Sequence, residues 1–281
     1  MQTKKQTGHW DPVNGLKYVF LAIATFAVLF PPYVVFVNAF KAENEGGDSP
    51  FALPRSFLNF DNFANVMDRA NIVQAFSNTF LIVAASLIGN VILGTMVAYV
   101  LGRIEFRGES VVLGAFLLAT IIPTITTQVV VFSLIQSMGM YNSLLAPILL
   151  FIGADVIQIY IYLQFIRNIP YELDESGMID GASLFRIYRS ILFPLLGPAT
   201  ATLVILKTIN IYNELYIPFL YMPKQELVVV STSIMRFAGN NQAQWGNICA
   251  AILIIMIPTT LLYLFLQKYI FSGVMNGAVK G

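Results

Sequence analysis

Among the polar side chains that stand inside otherwise apolar runs of the chain are Asp155, Lys207, Asn210, Asn213 and Glu214. Placing a charge in hydrocarbon costs at least a few kcal/mol, so such residues mark a protein interior or a wet cavity. At 100° per residue Lys207, Asn210, Asn213 and Glu214 fall within an arc of about 120° and share one helix face, while Tyr212 and Tyr216 point elsewhere. Asp155 forms an i, i+3, i+7 stripe with Gln158 and Tyr162, which turns it toward protein or water. It begins about 12 residues from the outer end of its helix and Lys207 about 10 from the inner end of its own, so at 1.5 Å per residue both lie near mid-depth and an Asp155–Lys207 pair is geometrically allowed. Two roles fit these groups. They tie helices together, or, with Tyr212, they line a path in which amide, hydroxyl and carboxylate replace water around a polar solute.

A second set lies between long apolar segments, in residues 171–198. Glu172, Asp174, Glu175, Asp180, Arg186 and Arg189 cannot sit in hydrocarbon and belong in water or at the interface. Gly177 and Gly181 interrupt the helical pattern and Pro194 and Pro198 close it, which predicts two short helices with a turn between them. A polar amphipathic insert of this kind is a docking surface rather than a reaction centre. Catalytic parts are missing elsewhere too. His9 is the only histidine, there is no Cys/His cluster for a metal and no Ser/His/Asp set. No Gly-x-x-x-x-Gly-Lys-Ser/Thr run occurs, so the chain has no P-loop for nucleotide phosphates and any energy source belongs to a partner. A net charge of +1 leaves no nucleic-acid footprint. The expectation is no enzyme, no catalytic residue, no metal and no cofactor bound by this chain.

The elements that must hold these residues are membrane spans. Hydrophobic residues make up 57% and charged residues 11% of 281, against about 25% charged in soluble domains. Six runs are long enough to cross as helices: about 16–40, 75–101, 111–136, 143–165, 197–220 and 247–268. The expected fold is an all-α integral membrane protein, with a tail at 1–15, a transmembrane domain at 16–270 whose core begins near 75, and a tail at 271–281. The apolar run from Val19 to Phe40 is too long for a signal-peptide core and reads as a retained helix, with Pro31 and Pro32 expected to kink or break it. Cys249, the sole cysteine, reads as a small packing residue. With a cytoplasmic N-terminus the inside receives Lys4, Lys5, Lys17, Arg103, Arg107, Arg167, Arg186, Arg189, Lys268 and Lys280, and the outside only Lys41, Arg55, Arg69, Lys224 and Arg236. The positive-inside rule therefore puts both termini and the 171–198 insert in the cytoplasm.

The spacing of Glu175, Ser176 and Gly177, then Gly181, then Ile191, Leu192, Phe193 and Pro194 resembles the EAA loop of ABC importer permeases. The alanines of that pattern are here Ser176 and Gly177, and the extra glycine is expected to loosen the first short helix by about 1 kcal/mol. Ile169 and Pro170 before the loop, the run Ile179 to Ala182 within it, and the C-terminal runs Gln267 to Gly273 and Gly277 to Gly281 resemble the carbohydrate-uptake, MalG-like branch. The likeness covers about residues 15–281 and implies the type I ABC importer permease fold with a cytoplasmic coupling loop at 171–194. It implies that Glu172, Asp174, Glu175, Ser176, Gly177, Asp180, Gly181, Ala182, Phe185 and Pro194 couple to an ATPase. The segment Asn210 to Glu214 resembles the fifth-helix Trp-Asn-Glu/Asp region, with Tyr212 in place of tryptophan. The 221–246 loop is either a solvent-exposed connector or, as in maltose-type permeases, a contact for the solute-binding protein through Gly239, Asn240, Asn241 and Trp245.

The implied assembly has a second, MalF-like permease, two ATP-binding subunits that hydrolyse ATP with Mg, and an extracytoplasmic solute-binding protein, in a bacterial or archaeal cytoplasmic membrane. The implied cargo is a carbohydrate, an oligosaccharide before others, with a glycerol phosphodiester or polyol as the alternative. Two rival classes are a secondary transporter, which calls for an inverted repeat and broken midplane helices, and a membrane enzyme, which calls for convergent titratable groups. The sequence displays neither set of signs.

Overall fold

The computed structural model describes residues 12–45, 49–69, 71–153, 155–235 and 244–278. Among these there are helices and turns and no β-strand. Two units are distinguishable: residues 1–69 with 237–256, and residues 70–236 with 257–281.

In the first unit, α1 (Pro12–Ala39) runs through Pro31 and Pro32 without a break, so of the kink or break those prolines predict, the break does not occur. Two missing N–H groups remove two bonds from a 28-residue helix, too few to end it here. Past its end the chain folds back into α2 (Asp61–Arg69). Buried Asn62 on α2 donates through Nδ2 to the carbonyls of Ala39 (2.9 Å) and Lys41 (2.7 Å), and Phe40 gathers Phe57, Phe60 and Phe63 around it.

The second unit is organised on α3 (Ile72–Arg103), a 32-residue helix. There follow α4 (Glu109–Ile121), α5 (Thr124–Ser137), α6 (Leu145–Ile152) and α7 (Val156–Arg167). Next come α8 (Glu172–Ile179), α9 (Leu184–Ile187), a π-turn over Tyr188–Leu192 and α10 (Phe193–Leu195). Then come α11 (Gly197–Asn213), α12 (Tyr216–Tyr221), a short 3-10 turn over Gln225–Leu227 and α13 (Val230–Ser233), and the long α14 (Trp245–Ala278) contributes residues to both units. Ala98 and Leu101 of α3, Ile159, Tyr162, Leu163 and Ile166 of α7, and Ala199 and Leu203 of α11 form its main core. Small residues let these helices approach: a Cβ on Gly89 or Gly102 would press within 2.9 Å of Ile152 or Ile166.

Three of the expected spans are bent rather than straight. Residues 15–39, 72–103 and 245–265 are long and apolar enough to cross by themselves, and three bent pairs bring the possible total to six. The third run breaks at Ile122-Pro123 with a 106° turn, because proline offers no N–H and pushes the residue before it out of the helical region. The fourth bends by 44° where α6 ends at Gly153 and Asp155 caps α7. The fifth was expected to run unbroken over 197–220. Instead α11 stops at Asn213, Glu214 adopts an extended backbone, and α12 starts afresh, while Leu184–Leu195 meets α11 at 72°. α14 continues as helix beyond the 247–268 of the sixth expected span, to Ala278.

Candidate functional site

The polar mid-span residues come together across the break in the fourth span. Asp155 does two jobs there: Oδ1 accepts from the Gln158 backbone N–H at 2.8 Å, capping α7, and Oδ2 accepts from Lys207 Nζ at 3.3 Å. The cap is the expected use of an aspartate at a helix start. Lys207 is 19% exposed and Asp155 52%. The break itself is closed from α3. Buried Asn90 donates through Nδ2 to Gly153 O at 2.8 Å, with longer contacts to Ile152 O and Phe151 O, and Gln158 Nε2 donates to Asn90 O at 3.1 Å. Gly94 makes room for this, since a Cβ there would collide with Gln158 Nε2. Sequence pattern singled out Gln158 only as part of a stripe, and Asn90 not at all. Its signal is an amide inside an apolar run, the same one that marks Asn210.

The fifth-span residues divide. Asn210 and Asn213 are exposed on α11, and Asn213 Nδ2 bonds its own helix at Ile209 O, 3.0 Å away. Glu214 does not share their helical face. It lies beyond the end of α11, and its Oε1 accepts from the backbone N–H groups of Tyr216 (2.8 Å) and Ile217 (3.2 Å), capping α12. Tyr212 is half-buried and lines a small cavity of about 10 Å³ with Thr79, Ile82, Phe151, Ile211, Pro218, Val229 and Ser231. Of the outer-loop candidates, Gly239, Asn240 and Asn241 lie outside the described residues, and exposed Trp245 opens α14.

The 171–198 insert forms the short helices α8 and α9 joined by a turn whose bonds explain it. Ala182 N–H bonds Gly177 O at 2.9 Å and Gly181 N–H bonds Met178 O at 3.0 Å, the paired closure of a Schellman cap. The cap needs a left-handed residue, and Gly181 supplies it at φ 76° with open space around it. Ser183 then caps α9 by accepting from Arg186 N. Gly177 does not interrupt α8 as expected. It is buried inside the helix, where a Cβ would sit 3.1 Å from Ile187 and 3.2 Å from Ile191, so it lets the two short helices touch. Pro194 lies inside α10 rather than closing the loop. The π-turn before it, with Phe193 N–H bonded to Tyr188 O five residues back, shifts the register ahead of the proline.

The loop presents Glu172, Glu175, Ser176, Asp180, Gly181, Leu184, Phe185 and Arg186 outward, with Ile179 86% and Phe185 60% exposed; Ala182 is half-buried. Asp174 departs from its expected place on this face. Its side chain is 2% exposed, it points inward, and Oδ2 lies 3.2 Å from Arg103 Nε at the end of α3. Burial raises the Asp174 carboxyl above its ordinary range, opposed by the Arg103 charge. Among the described residues there is no group of three His, Cys, Asp or Glu side chains able to hold a metal.

Comparison with known proteins places this arrangement. Residues 90–276 match the model of the family described as binding-protein-dependent transport system inner membrane component. The melibiose/raffinose/stachyose import permease protein MelC of Bacillus subtilis is 32% identical, over 92% of this chain and 94% of its own. The probable starch degradation products transport system permease protein AmyC of Thermoanaerobacterium thermosulfurigenes is 30% identical, over 95% of this chain and 98% of its own. A crystal structure of a bacterial ABC transporter involved in the import of the acidic polysaccharide alginate superposes at TM-score 0.79, covering 96% of this chain and 99% of that one at 20% identity, a likeness of fold.

Proposed function

The chain belongs to the family of binding-protein-dependent transport system inner membrane components, and we propose that it forms half of the translocation path of an ATP-driven carbohydrate importer. The observation that carries the path assignment is the open polar face at mid-span: Asp155 half exposed beside Lys207, with Asn210 and Asn213 exposed on α11. Hydrocarbon cannot cover such a face. A second permease and a water-filled path can, and amides and hydroxyl-binding carboxylates suit a polyol. Import of an oligosaccharide is supported by the sugar permeases among the relatives. The exposed side of α8 and α9, apolar at Ile179 and Phe185 and acidic at Glu172 and Glu175, suits docking of ATP-binding subunits that bind the nucleotide and Mg. An external solute-binding protein delivers the cargo. The excess of basic residues on one side supports cytoplasmic termini.

Cysteine accessibility tests the path. Cys249 is buried, so in the assembled transporter a cysteine in place of Asn210 is the residue open to reagent. A membrane-impermeant thiol reagent should label Asn210→Cys, and liganded binding protein should slow that labelling. Labelling only by lipid-soluble reagents would place the residue against the bilayer and end the path assignment.

A further inference from the structure

We infer that Arg103 is a positioning residue that latches the coupling loop to α3, so that a push on the loop moves the long helix with it; this rests on the transport reading above. Six contacts from Arg103, Tyr99 and Thr95 of α3 converge on the loop and the residues that lead into it. Arg103 Nε lies 3.2 Å from Asp174 Oδ2, and its terminal nitrogen donates to Ile169 O at 2.7 Å. The guanidinium carbon sits 5.5 Å from the centre of the Tyr171 ring, within cation–π range. One turn back on α3, Tyr99 OH donates to Leu184 O at 3.2 Å and its ring packs on Tyr188. Thr95 and Tyr188 hydroxyls meet at 2.9 Å. The loop is therefore held on both of its short helices by a single helix face.

The latch is built for position more than for strength. Arg103 is 9% and Asp174 2% exposed, yet their contact has ion-pair distance without hydrogen-bond geometry, and neither Asp174 oxygen accepts a hydrogen bond. A buried pair of that kind recovers little more than its desolvation cost, while removing one partner strands the other charge. What it fixes is where α8 sits. The opposite end of α3 is held in the same way: Asn78 Nδ2 donates to Glu226 O (3.0 Å) and Val228 O (2.8 Å), and Thr79 Oγ1 accepts from Val230 N–H (3.0 Å). From Asn78 to Arg103 the helix covers roughly 37 Å at 1.5 Å per residue. One stiff element thus joins the loop to the 226–230 segment.

The test uses the complete transporter in proteoliposomes, with Arg103→Ala and Asp174→Asn breaking the latch from its two sides. Three quantities are read: assembled complex, binding-protein-stimulated ATP hydrolysis, and carbohydrate taken up per ATP. Uptake per ATP should fall by about tenfold while assembly and hydrolysis persist. Amide exchange over residues 172–187 should quicken in the same complexes. An unchanged ratio, or hydrolysis and uptake falling in equal proportion, overturns the latch. If Arg103→Ala does not assemble, Arg103→Lys keeps the charge but cannot reach Asp174 and Ile169 together, and is read by the same ratio. A wild-type complex that moves no carbohydrate would sink the transport reading instead, and loop exchange in Arg103→Lys would still decide the latch.

Discussion

At the scale of single residues, most polar side chains singled out by type turn out to serve the backbone first. Asp155 caps α7, Glu214 caps α12 and Asn213 bonds the Ile209 carbonyl of its own helix, while Asn90, which the sequence pattern does not mark, takes up a carbonyl freed at Gly153. Spans that break inside a membrane need such groups, since hydrocarbon offers no partner to the open ends. Asp155 has a second acceptor oxygen to spare, and Lys207 uses it. With Asp155 half exposed, the pair contributes about 1 kcal/mol or less to folding. Replacing both, by Asp155→Asn with Lys207→Met, should therefore leave assembly near wild type and lower uptake. The check is complex yield in detergent beside uptake in vesicles, and full uptake by the double variant would make the pair a helix tie and nothing more.

At the scale of elements, the spans were legible and their breaks were not. Apolar length locates runs such as 75–101 within a turn of α3, because hydrocarbon thickness sets that length. It is blind to a bend, since both halves of a broken span are equally apolar, and only Pro123 and Gly153 hint at two of them. A polar arc of about 120° over Lys207, Asn210, Asn213 and Glu214 requires a helix that passes 213, and the break at Glu214 takes that residue out of it. The coupling loop was legible as two helices and a turn from Gly181, but Asp174 was misplaced because a carboxylate reads as exposed until its partner, 71 positions away in sequence, is brought beside it. The closure at Gly153 offers a test. Asn90→Ala strands that carbonyl and should cost about 1–3 kcal/mol, seen as a lower thermal unfolding midpoint of the purified complex. An unshifted midpoint would mean the break is held by packing alone.

For the whole molecule, a secondary transporter calls for an inverted repeat together with broken midplane helices, and three bent helix pairs are present among the described residues. Bent helices therefore do not discriminate between an importer driven by ATP and one driven by an ion gradient. What bears on the choice is the 172–187 loop, whose exposed side carries Ile179 and Phe185 and is proposed above as the dock for ATP-binding subunits. The decisive measurement is uptake of labelled oligosaccharides by proteoliposomes containing the complete transporter and its binding protein, with ATP inside and no ion gradient. ATP-dependent accumulation, abolished when Ile179 and Phe185 are both replaced by aspartate, is the predicted result. Accumulation without ATP, driven by a proton or sodium gradient and indifferent to those two substitutions, would contradict the account.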